Sequence, residues 1–150
     1  MVLTRSVADA VLRECRRRAP LETGGVLVGY ESDGRLFVTH ATGPGPRAVH
    51  TRSRFRRDGE YTQAEVDRLH EASGGHDDYI GEWHSHPAPV GPSSVDLTSL
   101  RWISGNPRYE RPEPAMLLAR RTIWFRWRLE AYRLSHGSLL AMRVAIDDPD

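Results

Sequence analysis

The sequence has 150 residues, a formal net charge of +1 and a mean hydropathy of −0.55. This near-neutral balance disfavours a nucleic-acid-binding protein, and no apolar run approaches the length of a membrane span or a signal region. A chain of this size buries enough surface to fold without a disulfide or metal, and its one cysteine fits a reducing compartment, so we expect a single cytoplasmic domain over residues 1–150 with no membrane partner.

Apolar periodicity predicts four elements in the first half of the chain. In order, they are a helix over 6–18 capped by Ser6, strands near 24–30 and 35–41, and a helix over about 61–73. Cys15 lies on the apolar face of the first helix, which predicts a buried thiol rather than a nucleophile. Between the second strand and the second helix, residues 50–57 alternate like a strand, which predicts a solvated row of three arginines, Arg52, Arg54 and Arg56.

Two histidines follow a predicted buried strand at residues 79–83. Side chains two apart on a strand point the same way, so His84 and His86 are expected to face together. The prolines and glycine of residues 87–92 then require a loop. A helix of about three turns is predicted from Ser93 to the stop signals at 105–107, which puts Asp96 in its first turn.

The Ser93-x-x-Asp96 segment admits two interpretations. It has the pattern of a helix capping box, and it also brings a carboxylate towards the two histidines. Two imidazoles and one carboxylate match a catalytic zinc site, whose fourth position is left for water. A cysteine-rich structural zinc site or a His/Cys/Cys deaminase site would need more cysteine, and no His-Glu-x-x-His motif occurs.

The last third of the chain predicts two closing strands, over 116–119 and 122–129. In this assignment Trp124 and Phe125 belong to the core. Strands that alternate with three helices imply an α/β sandwich in which helices cover a sheet.

Three segments together resemble the JAMM (JAB/MPN-plus) metalloproteases, especially their compact prokaryotic branch. They are residues 22–29 (Glu-Thr-Gly-Gly-Val-Leu-Val-Gly), His84-Ser85-His86-Pro87 and Ser93-Ser94-Val95-Asp96. The resemblance spans about residues 7–135. The family pattern has six residues between its proline and serine, whereas this chain has five, at 88–92. The resemblance implies a single JAB/MPN-like, cytidine-deaminase-like sandwich with a curved mixed sheet flanked by about three helices.

The resemblance also implies the roles of the site residues. His84, His86 and Asp96 would hold one zinc ion, Glu22 would act as the general base, and Ser93 would donate a hydrogen bond to the oxyanion. From the residues alone, a second glutamate is an alternative to Glu22 as the general base. Glu82 precedes His84 by two positions, so it falls on the same strand face and is open as a base, a ligand or a partner that orients a ligand histidine.

The substrate implied by the resemblance is a ubiquitin-like or sulfur-carrier protein, cleaved at the amide bond after its C-terminal Gly-Gly tail. Compact relatives are associated with antiviral ubiquitin-like conjugation systems and with sulfur-carrier trimming, and both stay open, as do conjugation-system proteins as partners. The alternative is a catalytically inert MPN-type scaffold that binds partner proteins. The short loop between Pro87 and Ser93 is the main support for that alternative.

Overall fold

The computed structural model describes residues 1–148. Within that range it has three α-helices and ten strands, in the order β1 (Val2–Thr4), α1 (Arg5–Arg18), β2 (Gly24–Ser32), β3 (Arg35–Ala41), β4 (Val49–His50), β5 (Phe55–Arg56), α2 (Gly59–Ala72), β6 (Asp78–His86), α3 (Ser94–Gly105), β7 (Ala115–Arg121), β8 (Trp127–Ser135), β9 (Ser138–Met142) and β10 (Ala145–Asp147). A 3₁₀ turn, Pro107–Tyr109, follows α3. In the described part of the chain, no helix is both long and apolar enough to cross a membrane.

Eight strands form one mixed sheet in the order β10-β1-β3-β2-β6-β7-β8-β9. The central strand β6 runs antiparallel to β2 and parallel to β7, and α3 lies on the crossover between the two parallel strands. Over residues 81–84, β6 is paired on both sides, which fixes the backbone position of His84. The predicted mixed α/β architecture with three helices is confirmed.

Apolar side chains cover both faces of the sheet. Helix α1 packs on one face around Leu27, Trp83 and Leu117, and Cys15 is fully buried there, as predicted. Helices α2 and α3 pack on the other face through two smaller clusters, which contain Val26, Val28, Val66 and Leu69, and Leu100, Ile103, Met116 and Leu134. The alternation of side chains along β2 and β7 separates these faces.

Most of the elements predicted from periodicity are confirmed within a few residues. The strand at 35–41 has the predicted bounds, and Val66 and Leu69 are buried on α2 as expected. The N-cap of α1 is Thr4 rather than Ser6, because the Thr4 hydroxyl accepts the Val7 backbone N–H. The short strand β1 and the terminal strands β9 and β10 were not predicted.

The prediction of an arginine row at 50–57 is wrong. The chain forms a two-stranded hairpin of β4 and β5, and residues 51–54 make its turn. The Thr51 hydroxyl accepts the backbone N–H groups of Ser53 and Arg54, and this local bonding reverses the chain. Arg52 and Arg54 therefore lie in the turn and share no strand face with Arg56.

The prediction that Trp124 and Phe125 belong to the core is also wrong. Their exposed fractions are 79% and 74%, because the segment 122–126 is the turn between β7 and β8. The Thr122 backbone N–H donates to the Arg126 carbonyl at 2.7 Å, and the Phe125 N–H donates to the Thr122 carbonyl at 3.0 Å. These two bonds close the hairpin within the predicted strand 122–129, so β8 begins only at Trp127.

Candidate metal centre

The candidate site is built at the C-terminal end of β6. His84 pairs with Gly24 of β2 and with Leu118 of β7, so the strand that carries both histidines is held from both sides. Gly24 allows this close approach, because a Cβ there would lie 2.3 Å from the Trp83 carbonyl oxygen and 2.6 Å from the Phe55 ring. As predicted, His84 and His86 point the same way, towards α3.

Three donor atoms converge at this point. The Nε2 atoms of His84 and His86 are 3.1 Å apart, and the Asp96 Oδ1 atom is 3.1 Å from Nε2 of His84. Nε2 of His86 lies 3.5 Å from Oδ2 of Asp96. Ligands at 2.0–2.1 Å from a tetrahedral zinc ion are separated by about 3.3 Å, so the spacing fits such an ion. Among the described residues, His84, His86 and Asp96 form the one group of three or more histidine, cysteine or carboxylate side chains whose donor atoms lie close enough together to hold a metal ion.

A hydrogen bond at Nδ1 of His86 determines which of its ring nitrogens carries the proton. Nδ1 lies 3.1 Å from the Val90 carbonyl oxygen, which accepts a hydrogen bond and leaves Nε2 with its lone pair towards the cluster. Burial, and then the neighbouring His84, lower the pKa of His86 and favour its neutral form. A neutral imidazole is the form that binds a cation. The five-residue loop thus supplies, at Val90, the carbonyl that orients this histidine.

Asp96 is a capping residue and a member of the cluster at once. Its Oδ2 accepts the Ser93 backbone N–H at 2.7 Å, and the Ser93 hydroxyl accepts the Asp96 N–H at 3.1 Å, which is the reciprocal pattern of a capping box. Burial disfavours its ionised form, but the hydrogen bond from His84 and the Ser93 N–H outweigh this and lower its pKa to about 2. The two interpretations of this motif are therefore compatible, and the cap fixes the carboxylate in place.

Glu22 lies just before β2, close to the cluster. The Thr23 N–H donates to the Ser85 hydroxyl at 2.9 Å and the Ser85 N–H donates to the Thr23 carbonyl at 2.8 Å, which extends the β2–β6 pairing to this segment. The Glu22 backbone also bonds to Thr51 and His50 of the β4–β5 hairpin. Partial burial raises the pKa of Glu22 to about 7, with His84 opposing and Asp96 adding to the shift.

Glu82 is on the same face of β6, but its carboxylate is held by other groups. Arg57 donates to its two oxygens at 3.1 and 3.2 Å, and the Tyr79 hydroxyl donates at 2.9 Å. Burial raises the pKa of Glu82, while Arg57 lowers it. Arg57 also bonds to the hydroxyls of Thr62 and Tyr109, so this network ties β6 to α2 and to the turn after α3.

Several residues of this arrangement were not predicted. His50 holds the Glu22 backbone, Ser85 joins β2 to β6, and Arg57 occupies the Glu82 carboxylate. His50 and Arg57 come from a segment distant in sequence that no spacing pattern marks, whereas Ser85 lies within the His84-Ser85-His86-Pro87 motif but had no predicted role. The Thr51 turn that brings His50 back towards Glu22 is the one local signal that could have indicated this contact.

Comparisons with known proteins agree with this geometry. The family model of prokaryotic homologs of the JAB domain matches residues 4–130. A protein of Sinorhizobium fredii named probable metalloprotease y4qB is 43% identical over 116 residues, which cover 75% of this chain and 71% of the relative. A protein of Escherichia coli named CD-NTase/cGAS isopeptidase is 36% identical over 104 residues, which cover 69% of this chain and 65% of the relative.

The fold has a solved counterpart. The solution structure of protein DSY2949 from Desulfitobacterium hafniense superposes with a TM-score of 0.74 at 17% identity, covering 99% of this chain and 93% of that protein. At this identity the likeness concerns the fold alone. The family match, together with relatives named metalloprotease and isopeptidase, identifies the enzyme class. This chain belongs to the prokaryotic JAB family and is a metallopeptidase of that family.

Proposed function

We propose that this chain is a zinc-dependent isopeptidase that hydrolyses the amide bond after the C-terminal glycines of a ubiquitin-like or sulfur-carrier protein. The observation that carries the proposal is the convergence of two imidazole nitrogens and one carboxylate within 3.1–3.5 Å, with Glu22 beside them. This donor set leaves one tetrahedral position for water, as in catalytic rather than structural sites.

Zinc suits the residues that are present. Two neutral nitrogen donors and one carboxylate at tetrahedral spacing favour zinc over magnesium or calcium, which take oxygen ligands in larger shells. When bound, the ion would lower the pKa of a bound water to about 7 and polarise the substrate carbonyl. His86 is already oriented for this role by Val90, and Asp96 by its helix cap.

Glu22 is the group that we assign to proton transfer. A carboxylate with a pKa near neutrality can take a proton from the attacking water and return it to the leaving amine. In the overall reaction water adds its oxygen to the carbonyl carbon, the C–N bond breaks, and the amine leaves with the proton. Glu82 is less suited to this role, because both of its oxygens already accept hydrogen bonds from Arg57.

Ser93 has the remaining role in the proposal. Its oxygen accepts the Asp96 N–H, so the hydroxyl proton stays available for donation. A hydroxyl placed where negative charge develops contributes a few kcal/mol of transition-state stabilisation, about 3 in well-studied cases. In this assignment Ser93 both fixes Asp96 and donates to the oxyanion.

The bond type is supported by the relatives. The Escherichia coli relative carries the name CD-NTase/cGAS isopeptidase, and relatives in Vibrio cholerae and Pseudomonas aeruginosa carry the same name. This favours an isopeptide bond between two proteins as the substrate of this chain. Glycines at the cleaved end would suit a narrow groove, because they carry no side chain that the groove must accommodate.

The first experiment measures the zinc content of the purified protein beside His84→Ala and Asp96→Ala. We expect about one zinc ion per wild-type chain and loss of it in both variants. Arg13→Gln, an exposed position on α1, is the matched control and should keep its zinc. A wild-type protein that binds no zinc under zinc-replete conditions would overturn the protease assignment and leave the inert scaffold.

The second experiment tests the substrate class. Fusions of ubiquitin-like and sulfur-carrier proteins, each extended beyond its terminal Gly-Gly, are incubated with the zinc-loaded protein, and cleavage is read by mass spectrometry. Release of the extension after the second glycine supports the proposal. Zinc-loaded protein that leaves every Gly-Gly fusion intact but cleaves another peptide would retain the enzyme class and refute the substrate.

A further inference from the structure

The turn between β7 and β8 presents three large apolar side chains to solvent. Ile123, Trp124 and Phe125 have exposed fractions of 70%, 79% and 74%, and they are consecutive. Neither the metal cluster nor the core uses them. Single exposed apolar residues are common on protein surfaces, but three adjacent large ones at a hairpin tip indicate a binding surface.

The backbone of this tip supports the same conclusion. Phe125 adopts φ of +60°, the left-handed conformation in which such turns usually place glycine or asparagine. The chain accepts this unfavourable conformation at a residue whose ring is largely exposed and packs beneath the Arg121 guanidinium at 4.8 Å. The positive φ of Phe125 keeps its ring at the outer side of the turn, beside Ile123 and Trp124 in the exposed apolar group.

The charge around the tip is uniformly positive. Arg121, Arg126 and Arg128 flank the apolar residues and form no salt bridge within residues 1–148. Glu130 of β8 pairs with Arg120 and also lies close enough to Arg128 to be affected by its charge. An apolar tip flanked by three arginines without salt bridges is complementary to a lipid surface, which has an apolar interior and can carry anionic groups at its boundary.

We propose that this hairpin tip, residues 121–128, docks the protein on an anionic lipid membrane. Trp124 and Phe125 would enter the interfacial region, where aromatic side chains are favoured, while Arg126 and Arg128 contact lipid phosphates. The inference does not depend on the proposed function. It differs from the expectation from the sequence that the protein has no membrane partner, and the experiment below decides between them.

The size of the tip favours a membrane over a protein partner. Three side chains of this size offer about 450 Å² of apolar surface, whereas a standard protein interface needs about 800 Å² from each partner. A convex tip inserted into a lipid interface needs no complementary cavity, and a few aromatic residues with basic neighbours suffice.

The position of the tip has a consequence for the metal centre. Arg120 of β7 pairs with His86 of β6, so the hairpin projects beyond the end of the strand that carries both histidines. Trp124 follows Arg120 by four positions, which corresponds to about 13 Å of extended chain at most. If the protein docks through this tip, the end of β6 that carries the two histidines faces the lipid surface.

The test is vesicle flotation with pure phosphatidylcholine and with phosphatidylglycerol-containing vesicles. We expect the wild-type protein to float with the anionic vesicles and to be released by salt. The variant Trp124→Ser/Phe125→Ser should bind on the order of a hundredfold more weakly. Arg126→Gln/Arg128→Gln should bind about 25-fold more weakly, at roughly fivefold for each charge near the surface.

Matched controls separate the tip from general charge and apolarity. Arg13→Gln/Arg16→Gln removes two exposed charges from α1, and Leu140→Ser removes an apolar side chain that is 55% exposed on β9. Both should float like the wild type. Absence of wild-type binding to anionic vesicles at low salt, or equal binding by the tip variants, would overturn the proposal. Loss of protein-substrate cleavage by the tip variants without any vesicle binding would assign the tip to a protein partner instead.

Discussion

The two carboxylates near the histidines provide the sharpest single prediction. Replacing either by glutamine keeps its size and removes its charge, so Glu22→Gln and Glu82→Gln form a matched pair. Glu22→Gln removes the proposed proton acceptor but no metal ligand. We expect its turnover to fall by about 10²–10⁴-fold with zinc content unchanged.

Glu82→Gln should instead lose stability. The Arg57 and Glu82 side chains are 20% and 19% exposed, and their two contacts are 3.1 and 3.2 Å. Removing one partner of a largely buried pair costs about 3–5 kcal/mol, and the remaining Tyr79 hydrogen bond favours the lower end. At 2–4 °C per kcal/mol for a chain of this size, the melting temperature should fall by about 6–12 °C.

The assays are turnover per zinc-loaded molecule on a cleavable substrate, calorimetric melting and metal analysis, all on the same preparations. Glu65→Gln is the control, because Glu65 forms an exposed pair with Arg68 within α2 and its loss should change melting by less than about 1 kcal/mol. The reasoning is refuted if Glu82→Gln loses a hundredfold in turnover at full folding while Glu22→Gln stays active. That result would make Glu82 the base.

Three further predictions concern other parts of the chain. Ser93→Ala removes the hydroxyl that caps α3 but keeps the backbone N–H that donates to the Asp96 carboxylate, so we expect about 1 kcal/mol lower stability in urea, with zinc binding retained in a competition titration. Burial raises the pKa of the Cys15 thiol to about 12, so a thiol reagent should label it only in denaturant; labelling at native pH 7 would contradict its burial. Hydrogen bonds from Arg133 lower the pKa of Glu31 below its usual 4.5, so its contribution to stability is complete above pH 4.5 and is lost as the pH falls through the folded pKa. Chemical unfolding should show that Glu31→Gln loses less stability on acidification than the wild type, and an equal loss in both would refute this linkage.

The motif around the histidines was predictable because its geometry is local. The two-residue period of a strand makes His84 and His86 face together, and the capping pattern puts Asp96 in the first turn of a helix. The length of the loop, five residues, could be read from the sequence, but its conformation could not be predicted. This conformation, which aims the Val90 carbonyl at His86, depends on where β6 and α3 are held by the rest of the fold.

The errors have a physical cause in common. Residues 122–126 have strong strand propensity, yet the Thr122 backbone donates to Arg126 and accepts from Phe125 and so closes a turn there, which leaves Trp124 and Phe125 exposed instead of buried. Residues 51–54 alternate like a strand, yet the Thr51 hydroxyl reverses the chain. In both places a threonine hydroxyl or backbone group at a strand end decided the conformation, and periodicity carries no information about such groups.

The sequence by itself determined the residue types of the candidate metal centre, their order, the family and most of the helices and strands, since these follow from residue chemistry, motifs and short-range periodicity. Only the tertiary structure decided how Glu22 and Glu82 differ. Both are carboxylates near the histidines, but the fold brings Arg57 to Glu82 and leaves Glu22 beside His84 and Asp96. Arg57 is 25 residues from Glu82 in sequence and Glu22 is 62 from His84, so their surroundings are set by long-range packing that no local pattern encodes.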